Sequence, residues 1–229
     1  MKSIGVVIPA FNVECVIKQV IKKVACYIPK KYIVVINDGS TDKTAERARE
    51  TGVIVLEHQR RCGKGVALQT GFKWLLNKQL KAVITMDGDG QHDAEAIPHF
   101  IQKAQATQYD IIIGSRMHQK KDIPVMRLFT NQASSLVISW LIKQSIPDTQ
   151  SGFRFIKSKV LQSIKLTSRY YNIESEVLLK AALAGFSIGV IPVRAIYLKN
   201  QKSNFRLIRD SLIIIGTILK GFFWRWENN

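Results

Sequence analysis

The chain has 229 residues, 46% hydrophobic and 22% charged, a globular composition that suits one domain, or one domain with a small appendage. Its formal net charge is +17, with 17 basic against 11 acidic residues in positions 1–116 and 17 against 6 in 117–229, so an anionic partner is expected: nucleic acid, nucleotide phosphates or an anionic membrane surface. Three cysteines, Cys15, Cys26 and Cys62, without a Cys-x-x-Cys pair, argue against a disulfide framework or a zinc site and suit a reducing cytoplasm.

Ile4–Ile8 reads as a first strand. Pro9, Asn12 and Glu14 cut the apolar run too short for a signal peptide. A helical segment near 14–26 leads to the strand Tyr32–Ile36 and then to Asn37-Asp38-Gly39-Ser40-Thr41-Asp42. Ser40, Thr41 or Asp42 can cap the next helix, near 42–51. Asp38 either belongs to that junction or accepts two donors from a nucleotide ribose or base. The strand Val53–Leu56 precedes Arg60-Arg61-Cys62-Gly63-Lys64-Gly65, which is either a solvated basic loop or a loop facing a diphosphate. It is not a Walker loop, because the upstream glycine and the Ser/Thr after Lys64 are missing.

A helix near 64–77 and the strand Ala82–Met86 lead into Asp87-Gly88-Asp89-Gly90-Gln91-His92-Asp93. Two carboxylates one residue apart at a strand end can share one crevice. Hard cations take such oxygens together with substrate phosphates. The simpler reading is a polar turn with an Asx cap. His92 reads as a structural or rim histidine, since the four histidines show no metal-ligand spacing. A helix near 94–106 and the strand Asp110–Ile113 end at Gly114-Ser115-Arg116, where phosphate contact by Arg116 is favoured over a solvated surface position.

Strands alternating with helices imply a mostly parallel sheet with ligands outside the strands' carboxyl ends. Four polar clusters, at 9–12, 37–42, 87–93 and 114–116, fall on that rim. Beyond 116, Arg127–Lys143 reads as a helix whose Trp140 face is assigned to core before membrane. Asp148–Arg154 is a loop entering a short strand, Glu174–Leu183 a helix and Ser187–Val193 a strand. Ser211–Trp226 is shorter than the ~20 residues of a membrane span. Its Lys220, Arg225, Trp224 and Trp226 suit an interfacial helix.

Taken in order, Pro9–Glu14, Asn37–Asp42, Gly63-Lys64-Gly65, Asp87–His92, Gly114-Ser115-Arg116, Asp148–Arg154 and Glu174-Ser175-Glu176 resemble inverting family 2 glycosyltransferases of the dolichyl-phosphate mannosyltransferase type. The resemblance covers roughly residues 3–206. It implies an α/β GT-A fold with a mostly parallel central sheet and flanking helices over 1–209; many relatives continue into transmembrane helices, whereas 210–229 reads here as a C-terminal apolar, membrane-interfacial helix. It places Pro9, Ala10, Asn12, Glu14, Asp38, Lys64 and Asp87 around the nucleotide, and Asp87, Asp89 and Gln91 around Mg²⁺ or Mn²⁺. Asp89, Arg116, Arg127 and Arg154 would stand at the reaction centre. Ser151, Gly152, Glu176 and Lys202 would face the sugar and acceptor, with Arg194 as an alternative to Lys202. The chain departs from the family at Phe11, where Tyr is usual, and at Cys62, where Asn is common.

The expected reaction moves a sugar from a UDP- or GDP-linked donor to a polyprenyl phosphate, whose oxygen is already ionised. A sugar-hydroxyl acceptor, on a soluble or cell-surface glycan, would need a base, for which Asp148 and Glu176 are candidates. The expected setting is peripheral, on the cytoplasmic face of an anionic membrane, with a membrane-protein partner open. Nucleic acid is disfavoured, because the aromatic residues sit in apolar runs rather than among basic ones.

Overall fold

The structure, a computed structural model, describes residues 4–118, 125–196 and 216, and only the backbone at helix residues 125–127, 129, 130 and 141. Lys202 lies outside the described residues, as does the expected helix of 210–229 apart from Gly216. The side chain of Arg127 is likewise outside the description.

One seven-stranded sheet organises the chain, in the order β3-β2-β1-β4-β6-β5-β7. Its strands are β1 (Ile4–Ala10), β2 (Ile33–Asn37), β3 (Ile54–Glu57), β4 (Ala82–Thr85), β5 (Ile111–Ser115), β6 (Arg154–Lys157) and β7 (Ile188–Pro192). The helices are α1 (Ile17–Ala25), α2 (Thr44–Arg49), α3 (Lys64–Leu76), α4 (Ile97–Ala106), α5 (Val125–Ile142), α6 (Ser158–Ser163) and α7 (Ile173–Leu183). Both sheet faces are covered. Val6 and Ile8 point to a layer holding Ile17, Ile21, Ile97 and Phe100. Val7, between them, points to Leu68, Phe72, Leu75 and Leu178. Burial on both faces is why the strands read as continuous apolar runs.

The mostly parallel sheet is present, with one element that the alternation of strands and helices does not announce. β6 is antiparallel to both neighbours, with Arg154 opposite Thr85 of β4 and Ile113 of β5. The four-residue run Arg154–Lys157 carries no signal of direction. Its reversal has a consequence: the segment feeding β6, residues 148–153, emerges on the same rim as the carboxyl ends of β1, β2, β4 and β5.

The assignment of Trp140 to the core is overturned. On α5, Asn131, Ser134, Ser135 and Ile138 face inward, while Leu136 is 74% exposed, Val137 40% and Trp140 64%. Periodicity marks both faces of this helix. The inward one is largely polar because it docks on the polar 147–151 loop: Ser135 Oγ accepts from Thr149 N at 3.1 Å.

Far from the rim, Asp110 ties the start of β5 to the start of β7. Its carboxylate accepts from Ser187 N at 3.2 Å and Ser187 Oγ at 3.1 Å, and pairs with Lys159 at 2.8 Å and Lys157 at 3.2 Å. Burial alone would raise its pKa, but Lys159, Ser187 and Lys157 hold it at about 2. Asp110→Asn should lower stability by about 1–2 kcal/mol at pH 7. A depressed carboxyl pKa stabilises the fold above the unfolded value near 4, and that contribution is lost as pH falls through about 2. Urea denaturation should therefore separate variant from wild type at pH 7 and bring them together near pH 2; equal midpoints at pH 7 would refute the assignment.

Candidate active site

The loop after β4 keeps close to β1 beyond the end of the strand. Met86 N donates to Val7 O at 3.1 Å and Gly88 N to Pro9 O at 3.2 Å. Gly90 turns the chain at φ +80°, and Gln91 N donates to Asp89 Oδ1 at 3.0 Å. Buried His92 stacks on Phe153, with centroids 5.1 Å apart. Its Nδ1 accepts from Asp87 N at 3.1 Å, which leaves the proton on Nε2, 3.9 Å from Asp87 Oδ2. Burial pulls the His92 pKa down to about 4, against the opposing pull of Asp87, so the ring is neutral near pH 7. The same loop holds the end of the described chain: Ile196 N donates to Gln91 O at 2.9 Å, and Ala195 pairs with His92 in an antiparallel bridge.

At the first residue of α3, half-buried Lys64 reaches two carboxylates. Its Nζ lies 2.6 Å from Asp87 Oδ1 and 2.7 Å from Glu174 Oε1, with the Tyr171 ring centroid 5.5 Å away. Burial would lower the ammonium pKa, but Asp87 and Glu174 outweigh it and hold it above the ordinary lysine value. Asp87 is correspondingly held well below the usual carboxylate range, burial notwithstanding. Glu174 is 4% exposed. Beyond the Lys64 contact its carboxylate has no partner among the described residues. Gly152 is packed against the pair: a Cβ there would come within 2.8 Å of both Asp87 Oδ2 and Lys64 Nζ.

Glu174, rather than the expected Glu176, is the α7 acid that reaches Lys64. Residues i and i+2 of a helix point to different sides, so only one of the two can face the rim. Glu176 faces away from it. Its carboxylate accepts from Thr167 N, Thr167 Oγ1, Ser168 N and Lys180 Nζ. Despite burial these partners hold its pKa below the ordinary glutamate value. Glu176 thus braces the turn whose Arg169 O accepts from Gly65 N at 2.9 Å, which supports the start of α3 from behind. Its assignment to sugar or acceptor is corrected to a bracing one.

Arg154 and Arg116 also differ from expectation. Arg154 is 2% exposed, and its Nε, Nη1 and Nη2 donate to the carbonyls of Ser151, Glu174 and Thr149 at 2.7, 2.6 and 2.7 Å. Burial lowers its pKa to about 10, so it is still charged near pH 7. It fastens the 149–152 loop to the start of α7 and is a positioning residue rather than a group at the reaction centre. Arg116 stands on the rim but is clasped by Asp148, its Nε and Nη2 each donating at 2.9 Å and its backbone N at 3.0 Å. Asn131 Nδ2 adds a fourth bond at 2.9 Å. Burial would raise the Asp148 pKa; the Arg116 guanidinium holds it down instead. Ser151 is fully buried, its Oγ accepting from Phe153 N at 3.3 Å, while Arg194 is exposed.

On the other side of the rim, Asp38 is 4% exposed and builds a loop. It accepts from Cys62 N at 2.9 Å, Gly63 N at 2.8 Å and His58 Nδ1 at 2.7 Å. The direct contact with ribose or base expected of it meets a carboxylate already engaged. Asp38, His58 and Cys62 offer ligand atoms within 4.8 Å of one another. His58 Nε2 is also bonded to Thr70 and Cys62 Sγ to Arg60 O, so a cation there would break the bonds that shape the 60–63 loop. Asn12 Oδ1 accepts from Thr41 N at 2.9 Å and Glu14 Oε2 from Lys43 N at 2.8 Å, lacing the β1 loop to the β2 loop. The Arg61 guanidinium covers Phe11, 4.0 Å from the ring centroid. Pro9 and Ala10 lie at the end of β1 beside Gly88.

Residues 5–165 match the model of Glycosyl transferase family 2. An uncharacterised protein of Methanocaldococcus jannaschii is 35% identical over 221 residues, 93% of this chain and 88% of that one. The UDP-N-acetylglucosamine–dolichyl-phosphate N-acetylglucosaminyltransferase of Methanococcus voltae is 27% identical over 94% of this chain and 92% of its own. Among solved structures, glucosyl-3-phosphoglycerate synthase of Mycobacterium tuberculosis has the same fold. Its complex with phosphoglyceric acid gives a TM-score of 0.77 at 20% identity, and its complex with Mn²⁺, UDP and glucosyl-3-phosphoglycerate gives 0.72 at 21%. Each match spans 96% of this chain and 79% of that one.

The buried neutral His92 sets a pH dependence. Its folded pKa of about 4 lies below the unfolded value near 6.5. Between those values the unfolded chain binds the extra proton, so stability falls as pH falls through the window. His92→Gln, which can still accept from Asp87 N, should flatten that fall by about 2–3 kcal/mol in unfolding titrations at pH 6.5 and 4.0. Parallel losses in variant and wild type would assign the acid sensitivity elsewhere.

Proposed function

We propose that this chain, which belongs to glycosyl transferase family 2 and is a glycosyltransferase with a GT-A-like α/β fold, moves a sugar from an NDP-sugar to a polyprenyl phosphate. The observation that carries the choice of acceptor is the closure of both candidate bases. Asp148 is clasped by Arg116 and Asn131, and Glu176 by Thr167, Ser168 and Lys180. Both carboxyls are held ionised and hydrogen-bonded, which makes them poor proton acceptors. A phosphate acceptor arrives with its nucleophilic oxygen already ionised and needs neither. The name of the Methanococcus voltae relative, which specifies dolichyl phosphate, supports the same acceptor class.

In the proposed reaction an acceptor phosphate oxygen bonds to sugar C1 opposite the diphosphate. The C1–O bond to the diphosphate breaks, its electron pair leaves on the β-phosphate oxygen, and C1 is inverted. Asp87, Asp89 and Gln91 are the residues that would hold Mg²⁺ or Mn²⁺. The oxygen donors fit a hard cation, and the Lys64 ammonium already occupies a cation position against Asp87. When bound, such an ion supplies Lewis-acid neutralisation of the leaving diphosphate. Arg116, held by Asp148, adds positive charge at the rim, which favours the extra negative charge that develops on the departing diphosphate. Arg127, one turn before Asn131 on α5, is proposed for the acceptor phosphate.

The exposed Leu136, Val137 and Trp140 face of α5, together with the basic second half of the chain, supports peripheral docking on the cytoplasmic face of an anionic membrane. Among the described residues no helix is long and apolar enough to cross a membrane. Residues 1–209 are proposed as the catalytic unit and 210–229 as a further interfacial helix.

Asp89→Ala should abolish transfer and Mn²⁺-dependent NDP binding, while its unfolding midpoint stays within about 0.5 kcal/mol of wild type, as befits a rim residue. Full activity in the variant, or in excess EDTA, would remove the metal from the scheme. Wild-type protein should float with vesicles in proportion to their anionic lipid, less so as salt rises. Leu136→Ser combined with Trp140→Ser should weaken flotation severalfold and slow transfer to a lipid acceptor. Efficient turnover of a soluble glycan acceptor with no flotation would replace the lipid assignment.

A further inference from the structure

We propose that Lys64 is a built-in substitute for the divalent cation, neutralising Asp87 until a metal arrives with the nucleotide and then giving its charge wholly to Glu174. The inference rests on the reading of Asp87 and Asp89 as the metal seat. It goes beyond that reading in assigning a role to Glu174 and an interdependence to the binding of metal and nucleotide.

The geometry points this way at each step. One ammonium touches two carboxylates, at 2.6 and 2.7 Å, in a pocket where Glu174 is 4% exposed. A cation on Asp87 cannot share that oxygen with an ammonium at such distances, because like charges a few ångströms apart in a poorly solvated pocket repel strongly. The ammonium nevertheless has a place to go without crossing open space, since it already lies against Glu174. Apart from Lys64 that carboxylate has no partner among the described residues, so it has acceptor capacity to spare. The Tyr171 ring flanks the same position. Gly152 keeps the space beside Asp87 Oδ2 and Lys64 Nζ clear of any side chain. Arg154, through Glu174 O, and Glu176, through the 167–169 turn, hold the backbones of the two partners in place while the ammonium moves.

The consequence is a coupling. A divalent ion alone must displace Lys64 from Asp87 with nothing to offset the added positive charge. A diphosphate arriving with it brings that offset. Metal and NDP should therefore each bind weakly alone and strengthen one another by the same factor.

The test is titration of the full chain with Mn²⁺ alone, followed by electron paramagnetic resonance, and repeated with saturating UDP and GDP. Lys64→Met should bind Mn²⁺ alone at least about tenfold more tightly than wild type, because the competing ammonium is gone. The gain on adding NDP should shrink accordingly. Glu174→Gln should move the other way, weakening Mn²⁺ alone by about threefold or more, because Lys64 loses its second anion and stays on Asp87. The near-isosteric Glu174→Gln decides the matter by itself should Lys64→Met fail to fold. Unchanged Mn²⁺ affinity in these variants, or a shift of both in one direction, would overturn the substitution while leaving the metal seat intact if wild type still binds Mn²⁺ with NDP. No Mn²⁺ binding by wild type with either NDP would overturn both.

Discussion

The rim is organised around one ammonium that is largely withdrawn from water and shared by two carboxylates. Lys64 joins the start of α3, the end of β4 and the start of α7 through its two carboxylate partners. A charge taken out of water is tolerated only when it is paired, and removing one partner leaves the other uncompensated. The surrounding structure follows from that demand. Gly152 leaves room for the pair, and Gly65 lets the 168–169 turn press against the helix start. Two buried side chains, Arg154 and Glu176, satisfy backbone groups behind the site so that the charged atoms in front need not.

The reversal of β6 makes this arrangement possible. In an all-parallel sheet, the segment entering the strand between β4 and β5 would begin at the far end, away from the carboxyl-terminal crevice. Run backwards, β6 presents its own entry loop at the crevice, and Asp148, Ser151 and Gly152 come with it. Arg116 at the end of β5 then finds Asp148 on the adjacent strand's approach. Asn131 brings α5 into the same contact, so the helix with the exposed apolar face is linked through two side chains to a rim arginine.

Much of this was legible in the chain itself. Asp87 and Asp89 after a continuous apolar strand read alone as a polar turn; the other polar clusters on the same rim, and the ordered set of motifs, turn them into a candidate crevice. The rim position of residues 9–12, 37–42 and 114–116 follows from the strand–helix alternation, and Asp42 does bond the first turn of α2. What was not legible depends on rotation or on distant partners. Choosing Glu174 over Glu176 requires the phase of α7 about its axis, which two acids in one turn do not reveal. Arg154 looks like a site arginine until the carbonyls of Thr149, Ser151 and Glu174 are brought around it by tertiary folding. Trp140 was misplaced because an amphipathic pattern states that two faces differ, not which one is buried. Asp38 fell between its two readings: the strand-end junction is real, but the carboxylate serves the 60–63 loop rather than its own turn.

The pairing of Ala195 and Ile196 with His92 and Gln91 gives the molecule a mechanical property. The polypeptide leaves β7 by lying along the loop that bears Asp87 and Asp89, the two stretches joined by one bridge and one backbone hydrogen bond. A displacement of Ala195 and Ile196 would therefore bear on this loop. Through Nδ1 of His92 the same displacement reaches the amide of Asp87. Anchorage of the later residues would thus be felt as a change in where those carboxylates sit, with the exit of the chain acting as a lever on its own crevice.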